Sequence, residues 1–296
     1  MSRPERAPVL QSWQQVAMLD VRPSPIAGTW YPEDPDILAR SIDAHLAASE
    51  FRPPPGEIIG LVVPHAGHRY SGGVAAQAFR LVQGERRALV AVVSPMHHFY
   101  PEPVLTTAHA AYGTPLGSVE VATDAVERLE RGLAASGIPL TRVERDPEHA
   151  LEIELPFLQR TLATGFRLLP LMLRDQGRPV VEAVGHALAS ALAGQDALLV
   201  ASSDLSHFFP DRVARRMDEE MLSRLHAFDP VAVLTAEEEG VGFACGKGAL
   251  AAVLWAASAL GADRVDILGY AHSGDVTGDN LSVVGYGAAV IYRAAT

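Results

Sequence analysis

Five short runs rich in Val, Ile, Leu and Ala stand out along the chain, at residues 58–63, 88–93, 168–173, 197–201 and 282–291. They are apolar throughout rather than alternating with polar residues, so each predicts a strand buried on both faces. Between them apolar residues recur at helical spacing, at 37–49, 73–81, 124–135, 149–164, 179–193, 211–227 and 248–260. Such strands alternating with helices predict an α/β fold with three layers, α/β/α, around a mainly parallel or mixed sheet. Residues 1–22 are polar and irregular and read as an N-terminal arm, followed by the turn-rich string SPIAGTWYPEDP. The connector from Phe51 to Gly56 is too short for a domain linker, and no repeat of 20–50 residues is present. The expectation is a single domain over 23–296, with two domains as the alternative.

Composition narrows the classes. With 48% hydrophobic and 20% charged residues the chain has ample material for a core, which excludes a disordered protein. Cys245 is the sole cysteine, so no intrachain disulfide can form and a reducing, cytoplasmic setting is expected. The formal charge of -11 repels phosphate backbones, and no basic patch offsets it, so no nucleic-acid role is expected. No apolar run approaches the ~20 residues of a membrane span, and the first residues lack a signal-peptide core.

Three of the expected strands end in polar, chemically capable residues. Residues 58–63 run into Pro64-His65-Ala66-Gly67-His68, 88–93 into Ser94-Pro95-Met96-His97-His98, and 197–201 into Ser202-Ser203-Asp204-Leu205-Ser206-His207. Five of the eleven histidines fall in these three segments, where open α/β sheets place their ligand crevice. A single histidine is more often a cap or surface group; three clusters at strand ends point to metal chemistry, because imidazole is the commonest protein ligand for Fe, Cu, Zn and Ni. A third ligand is sought among Asp204, Glu148, Asp275 and the thiolate of Cys245.

Cys245 sits in Gly242-Phe243-Ala244-Cys245-Gly246-Lys247-Gly248, a glycine-rich turn before a helix. A helix N-terminus with Lys247 nearby favours a thiolate. The alternatives are a small buried residue, or a phosphate loop, for which the Walker spacing is lacking. In Asp146-Pro147-Glu148-His149-Ala150-Leu151-Glu152 the acids suit a helix start, whereas a neutral His149 there can contact an anion or shuttle a proton. Residues 269–280 read as a polar loop before the last strand, able to line a pocket or simply turn the chain.

These stretches carry a likeness. AGTWYP at 27–32, PHAGHRYSGG at 64–73, SPMHHF at 94–99, EHALEIELPFLQ at 148–159, LLPLML at 168–173, SSDLSH at 202–207, ACGKGAL at 244–250 and GDNLSVVGYGAAVIY at 278–292 together resemble the Memo family, also called AmmeMemoRadiSam system protein B. That family is similar to class III extradiol dioxygenases, whose LigB-like fold holds a non-haem Fe(II) that cleaves catechol rings. The resemblance implies metal ligands His65, His97 and Cys245, the cysteine standing where those dioxygenases have a glutamate. It matches Asp204 and His207 to the family's SSD-x-x-H motif, with His207 in the acid/base region, and His149 to a glutamate-histidine motif beside the pocket, so all three are expected to be catalytic groups. The spacing of three residues past a strand lets Asp204 and His207 face one cavity and act beside the metal, Asp204 either touching the ion or orienting a ligand. Ile26 stands where some members have a histidine, so that position is not a required ligand here.

The resemblance implies first a metal-dependent oxidoreductase with Fe(II); Cu or Zn is possible instead, because a soft thiolate shifts metal preference. Its small-molecule substrate is not specified. The second reading is a non-catalytic adaptor working with AMMECR1-like and radical-SAM partners. The third is a zinc hydrolase, since two histidines and a cysteine plus water suit catalytic zinc.

Overall fold

The computed structural model describes residues 20–295 except 51 and 164. Most of the expected arm, residues 1–19, lies outside the described residues. The described strands are β1 (Val21–Arg22), β2 (Gly56–Val63), β3 (Leu89–Pro95), β4 (Val104–Thr107), β5 (Ala111–Thr114), β6 (Gly117–Glu120), β7 (Leu140–Val143), β8 (Arg167–Leu173), β9 (Ala197–Ser202), β10 (His207–Phe209), β11 (Arg264–His272) and β12 (Val283–Ala294). The α-helices are α1 (Pro35–Ala48), α2 (His68–Phe79), α3 (Thr123–Ala134), α4 (Leu155–Thr161), α5 (Arg178–Leu192), α6 (Asp211–His226), α7 (Pro230–Thr235), α8 (Lys247–Ala259) and α9 (Gly274–Thr277).

The main sheet has the order β10-β12-β2-β9-β3-β8-β4-β7, with β11 also on β12, and a small sheet runs β1-β5-β6. The central strands β2, β9, β3 and β8 are parallel; β12, β11 and β10 are antiparallel additions at one side and β4 meets β8 antiparallel at the other. The sheet is therefore mixed around a parallel centre. Period-two alternation divides each central strand between two cores. Leu89, Ala91 and Val93 of β3 face one apolar cluster with α3, α5 and α8, while Val90 and Val92 face the other with α1, α2 and α4. The fold is thus a three-layer α/β/α sandwich.

Local chemistry fixes the helices. Asp34 caps α1 by accepting the Ile37 N–H at 2.9 Å, Pro35 opens it, and Leu38, Ile42 and Leu46 form its buried stripe. Helix α8 is apolar nearly all round because it is enclosed by α5, α7 and the sheet. Its approach to α5 needs Gly185, where a Cβ would lie 2.6 Å from Trp255 Cβ.

Three expectations change. The helix read at 149–164 begins later, with a single turn at Glu152–Glu154 followed by α4, so His149 precedes it. The polar stretch 269–280 is not all loop: β11 runs on to His272 past a bulge between Ile267 and Gly269, and α9 follows. The arm's end is ordered, since Val21 and Arg22 pair with Ala111 and Tyr112. No helix among the described residues is long and apolar enough to cross a membrane.

Candidate metal centre

Strand order builds the site. In the order β2-β9-β3, His65 lies two residues past β2, His97 two past β3, and Ser202-Ser203-Asp204 at the end of β9 lies between them. The ligand atoms of His65, His97 and His149 all lie within 4.8 Å of one another. The His97 and His149 rings stack at 4.9 Å, and His65 stands edge-on to both, at 5.3 and 5.4 Å. Cys245 approaches His65 from the turn before α8, its Sγ 3.1 Å from His65 Nε2, but it is not one of the group that lies within 4.8 Å of one another. On a four-coordinate ion with nitrogen bonds of about 2.0–2.1 Å, donor atoms stand roughly 3.3 Å apart. The three imidazoles therefore need to close by no more than about 1.5 Å to hold a metal.

Each donor is oriented from behind. Glu148, buried, accepts the His97 N–H at 2.6 Å, His97 Nδ1 at 2.9 Å, and the N–H groups of His149 and Ala150 at 2.9 Å each. His149 Nδ1 is 3.2 Å from the same Oε1. Both rings thereby turn Nε2 outward, the arrangement that carboxylates impose on metal-binding histidines. Burial pushes the Glu148 carboxyl up, but the His97 hydrogen bond, both imidazoles and the Ala150 N–H outweigh it and hold it at about 2. Burial holds His149 down at about 4 and, with the neighbouring imidazoles, holds His65 well below its ordinary value. Neutral imidazoles are the form that binds metal.

Asp204 Oδ1 accepts the N–H groups of His65 (2.8 Å) and Ala66 (3.2 Å), and its carbonyl accepts the Cys245 N–H at 3.2 Å. It joins the β2 end to the cysteine turn. Burial pushes its carboxyl up to about 7, against the pull of those two N–H groups. His207 donates Nδ1–H to the Leu205 carbonyl at 2.8 Å, stands edge-on to Phe243 at 5.5 Å, and is held below its ordinary value by burial. The expected electrostatics of Cys245 do not hold. Lys247 turns away to Glu237 at 2.6 Å, while burial and the Asp204 charge push the thiol up. Without an ion Cys245 is a thiol; a dication is what would make it a thiolate. Asp275, a candidate ligand from the sequence, instead accepts the His272 N–H at 2.9 Å and stands 3.6 Å from Arg215.

Several contributors were not legible in the sequence. Trp30 lies against His149 with ring centroids 4.0 Å apart and planes tilted by 34°, and its carbonyl accepts the His68 N–H that opens α2. Gln176 brackets the cysteine turn, donating to the Cys245 carbonyl at 2.8 Å and accepting the Gly248 N–H at 2.7 Å. Gly246 lets that turn lie on β9, since a Cβ there would come within 2.7 Å of the Ser202 carbonyl. Arg22, buried, reaches Asp146 at 2.7 Å and Glu152, and donates to the carbonyls of Asp146 and Glu148. It braces the segment that carries Glu148 and His149. A cavity of about 850 Å³ lined by His45, Gln77, His226 and Asp266 shares no lining residue with this centre.

Comparison with known proteins gives this geometry a lineage. A family model described as Memo-like protein matches residues 22–290. A MEMO1 family protein of Methanothermobacter thermautotrophicus is 36% identical over 276 residues, covering 90% of this chain and 98% of its own length. Counterparts in Nitrosopumilus maritimus and Methanosarcina barkeri are 32% and 33% identical, across 90% and 92% of this chain and 98% and 100% of theirs. Since the family model spans every strand end that carries the histidines and these relatives match about nine-tenths of the chain, the chain belongs to the Memo family.

Proposed function

We propose that this protein is a metal-dependent oxidoreductase related in chemistry to the extradiol dioxygenases, with Fe(II) as its first metal and Cu or Zn as the alternatives. The cluster of His65, His97 and His149, backed by Glu148 and with Cys245 lying against His65, supports the reading. His65, His97 and Cys245 hold the ion in this proposal. The ion supplies Lewis-acid and redox chemistry to a small substrate bound beside it.

The chain's own residues do the rest. Glu148 fixes the His97 ring and Asp204 fixes the backbone of His65. A two-histidine, one-cysteine set leaves positions on the ion open for substrate, with His149 beside the ion rather than on it. His149 is therefore assigned as a neutral base facing the substrate, with His207 as the second proton-carrying group. Trp30 covers one side of His149.

A second reading, an adaptor that works with AMMECR1-like and radical-SAM partners, draws on the exposed apolar side chains Phe99 (81% exposed), Phe208 (74%) and Leu281 (81%). Phe99 and Phe208 directly follow the His97-His98 pair and His207 in sequence. The proposed compartment is the cytoplasm, where a lone thiol stays reduced.

Anaerobic purification followed by metal analysis and oxygen uptake with catechols tests the proposal. Stoichiometric iron with oxygen uptake is the expected result, and Cys245→Ser should lose most of the metal. Stoichiometric zinc with hydrolysis and no oxygen use would replace the oxidoreductase by a zinc hydrolase. Metal-free protein that binds a partner tightly would favour the adaptor.

A further inference from the structure

Behind His65, on the side away from Cys245, lies a buried chain of polar groups that no role above uses. His65 Nδ1 is 2.9 Å from Ser202 Oγ at the end of β9. The same Oγ lies 2.6 Å from the Ala150 carbonyl oxygen and 2.9 Å from Glu154 Oε1. His65 is 2% exposed, Ser202 0% and Glu154 1%. The register that pairs Val63 with Ser202 in β2 and β9 sets the contact, and the turn at Glu152–Glu154 delivers the carboxyl.

The hydrogens can be counted. A serine hydroxyl has one proton to give and two lone pairs to receive with. The 2.6 Å approach to the Ala150 carbonyl needs that proton, because two bare oxygens at this distance repel. Oγ then has only accepting capacity left for His65 and Glu154. His65 must offer Nδ1–H, and Glu154 must offer an O–H, which an ionised carboxylate lacks. Burial, reinforced by the nearby Asp204 charge, pushes the Glu154 carboxyl up, in agreement with the count.

We infer that Glu154, as a neutral carboxylic acid, and Ser202 form a positioning relay that holds the proton on His65 Nδ1 and so presents the Nε2 lone pair to the metal point. A charged Glu154 would take the Ser202 proton, leave the Ala150 carbonyl facing a bare oxygen, and loosen the ring. His97 is oriented by an ionised carboxylate and His65 by a neutral one, so the two ligands differ in electron donation to the ion. The inference rests on the metal-centre reading for its consequence, but the relay exists in the metal-free protein.

Two measurements on the full chain keep the two apart. In metal-free protein, nitrogen NMR of the His65 ring should show Nδ1 protonated and Nε2 bare, and infrared difference between wild type and Glu154→Gln should show a protonated-acid carbonyl stretch. A His65 ring protonated on Nε2, or a carboxylate stretch for Glu154, overturns the relay whatever metal binds. Cobalt(II) titration with its visible spectrum then reads the consequence. Glu154→Gln, whose amide N–H replaces the acid O–H, should bind within about threefold of wild type. Ser202→Ala and Glu154→Met should bind about 10–100-fold more weakly with an altered spectrum, while circular dichroism shows the fold retained. A Glu154→Gln protein as impaired as Glu154→Met, or a Ser202→Ala protein with unchanged affinity and spectrum, overturns the inference. Wild-type protein that takes up no cobalt at all refutes the metal-centre reading, while the NMR and infrared spectra still decide the relay.

Discussion

One carboxylate oxygen of Glu148 accepts from the ring of His97 and the other from its backbone, at 2.9 and 2.6 Å. Side chain and main chain of the same histidine are thus gripped by a residue 51 positions away. The first oxygen also receives the N–H groups of His149 and Ala150, so this single group sets two of the three imidazoles.

Glu148→Gln is therefore expected to weaken metal binding by about 10–100-fold, because an amide can accept through only one of its two heads. Competition against a chelator measures it. Unchanged affinity in a folded variant would show that His97 is held by packing alone.

Arg22 gives a stability prediction. It is 1% exposed between Asp146 and Glu152, and Tyr31 donates to the same Glu152 at 2.6 Å. Arg22→Met removes the cation and leaves two buried acids unpaired, a loss of roughly 3–5 kcal/mol. Urea unfolding reads it. A loss below about 1 kcal/mol would mean that the acids protonate or reach water without cost.

How legible was this in the sequence? The five long apolar strands were, because a strand buried on both faces announces itself without neighbours. The four-residue strands β4 to β7 were not, since segments such as Ala111–Thr114 and Gly117–Glu120 mix glycine and polar residues and owe their shape to pairing. His65 and His97 could be placed because strand ends carry chemistry in this fold class. Arg22 could not, as an arginine in a polar stretch is normally exposed and its partners lie 124 and 130 residues away. The Cys245 environment was hidden for the same reason: Lys247 is close in sequence, but its partner Glu237 takes it elsewhere.

His68 provides the pH test. It is 3% exposed, its Nε2 is 3.1 Å from the Ile153 carbonyl, and burial holds it at about 4. The unfolded chain binds a proton near 6.5 that the folded one refuses until about 4, so protons favour unfolding in that window. His68 thus contributes stability that is present above about 6.5 and lost as pH falls toward 4, on the order of 3 kcal/mol in all. His68→Gln should flatten the decline of the urea midpoint between pH 6.5 and 4 relative to wild type. Equal slopes for the two proteins would mean that His68 is protonated in the fold.

The three imidazoles at the centre are geometrically alike, and only substitution separates ligand from base. His65 and His97 stand at strand ends, fixed by Ser202 and Glu148, whereas His149 sits in a turn between Trp30 and His97. His207 is set by one carbonyl at the edge strand β10. On the proposed assignment His97→Ala should lower metal affinity by at least about 100-fold, the effect of losing a donor bond. His149→Ala and His207→Ala should each stay within about tenfold of wild type, because neither removes a donor. Any oxygen-consuming turnover found should fall by about 10²–10⁴-fold in both, the usual loss for a missing acid or base. If His149→Ala empties the site as His97→Ala does, then His149 is a ligand. The centre is then built on three histidines with Cys245 beside it, and the base must be His207 alone.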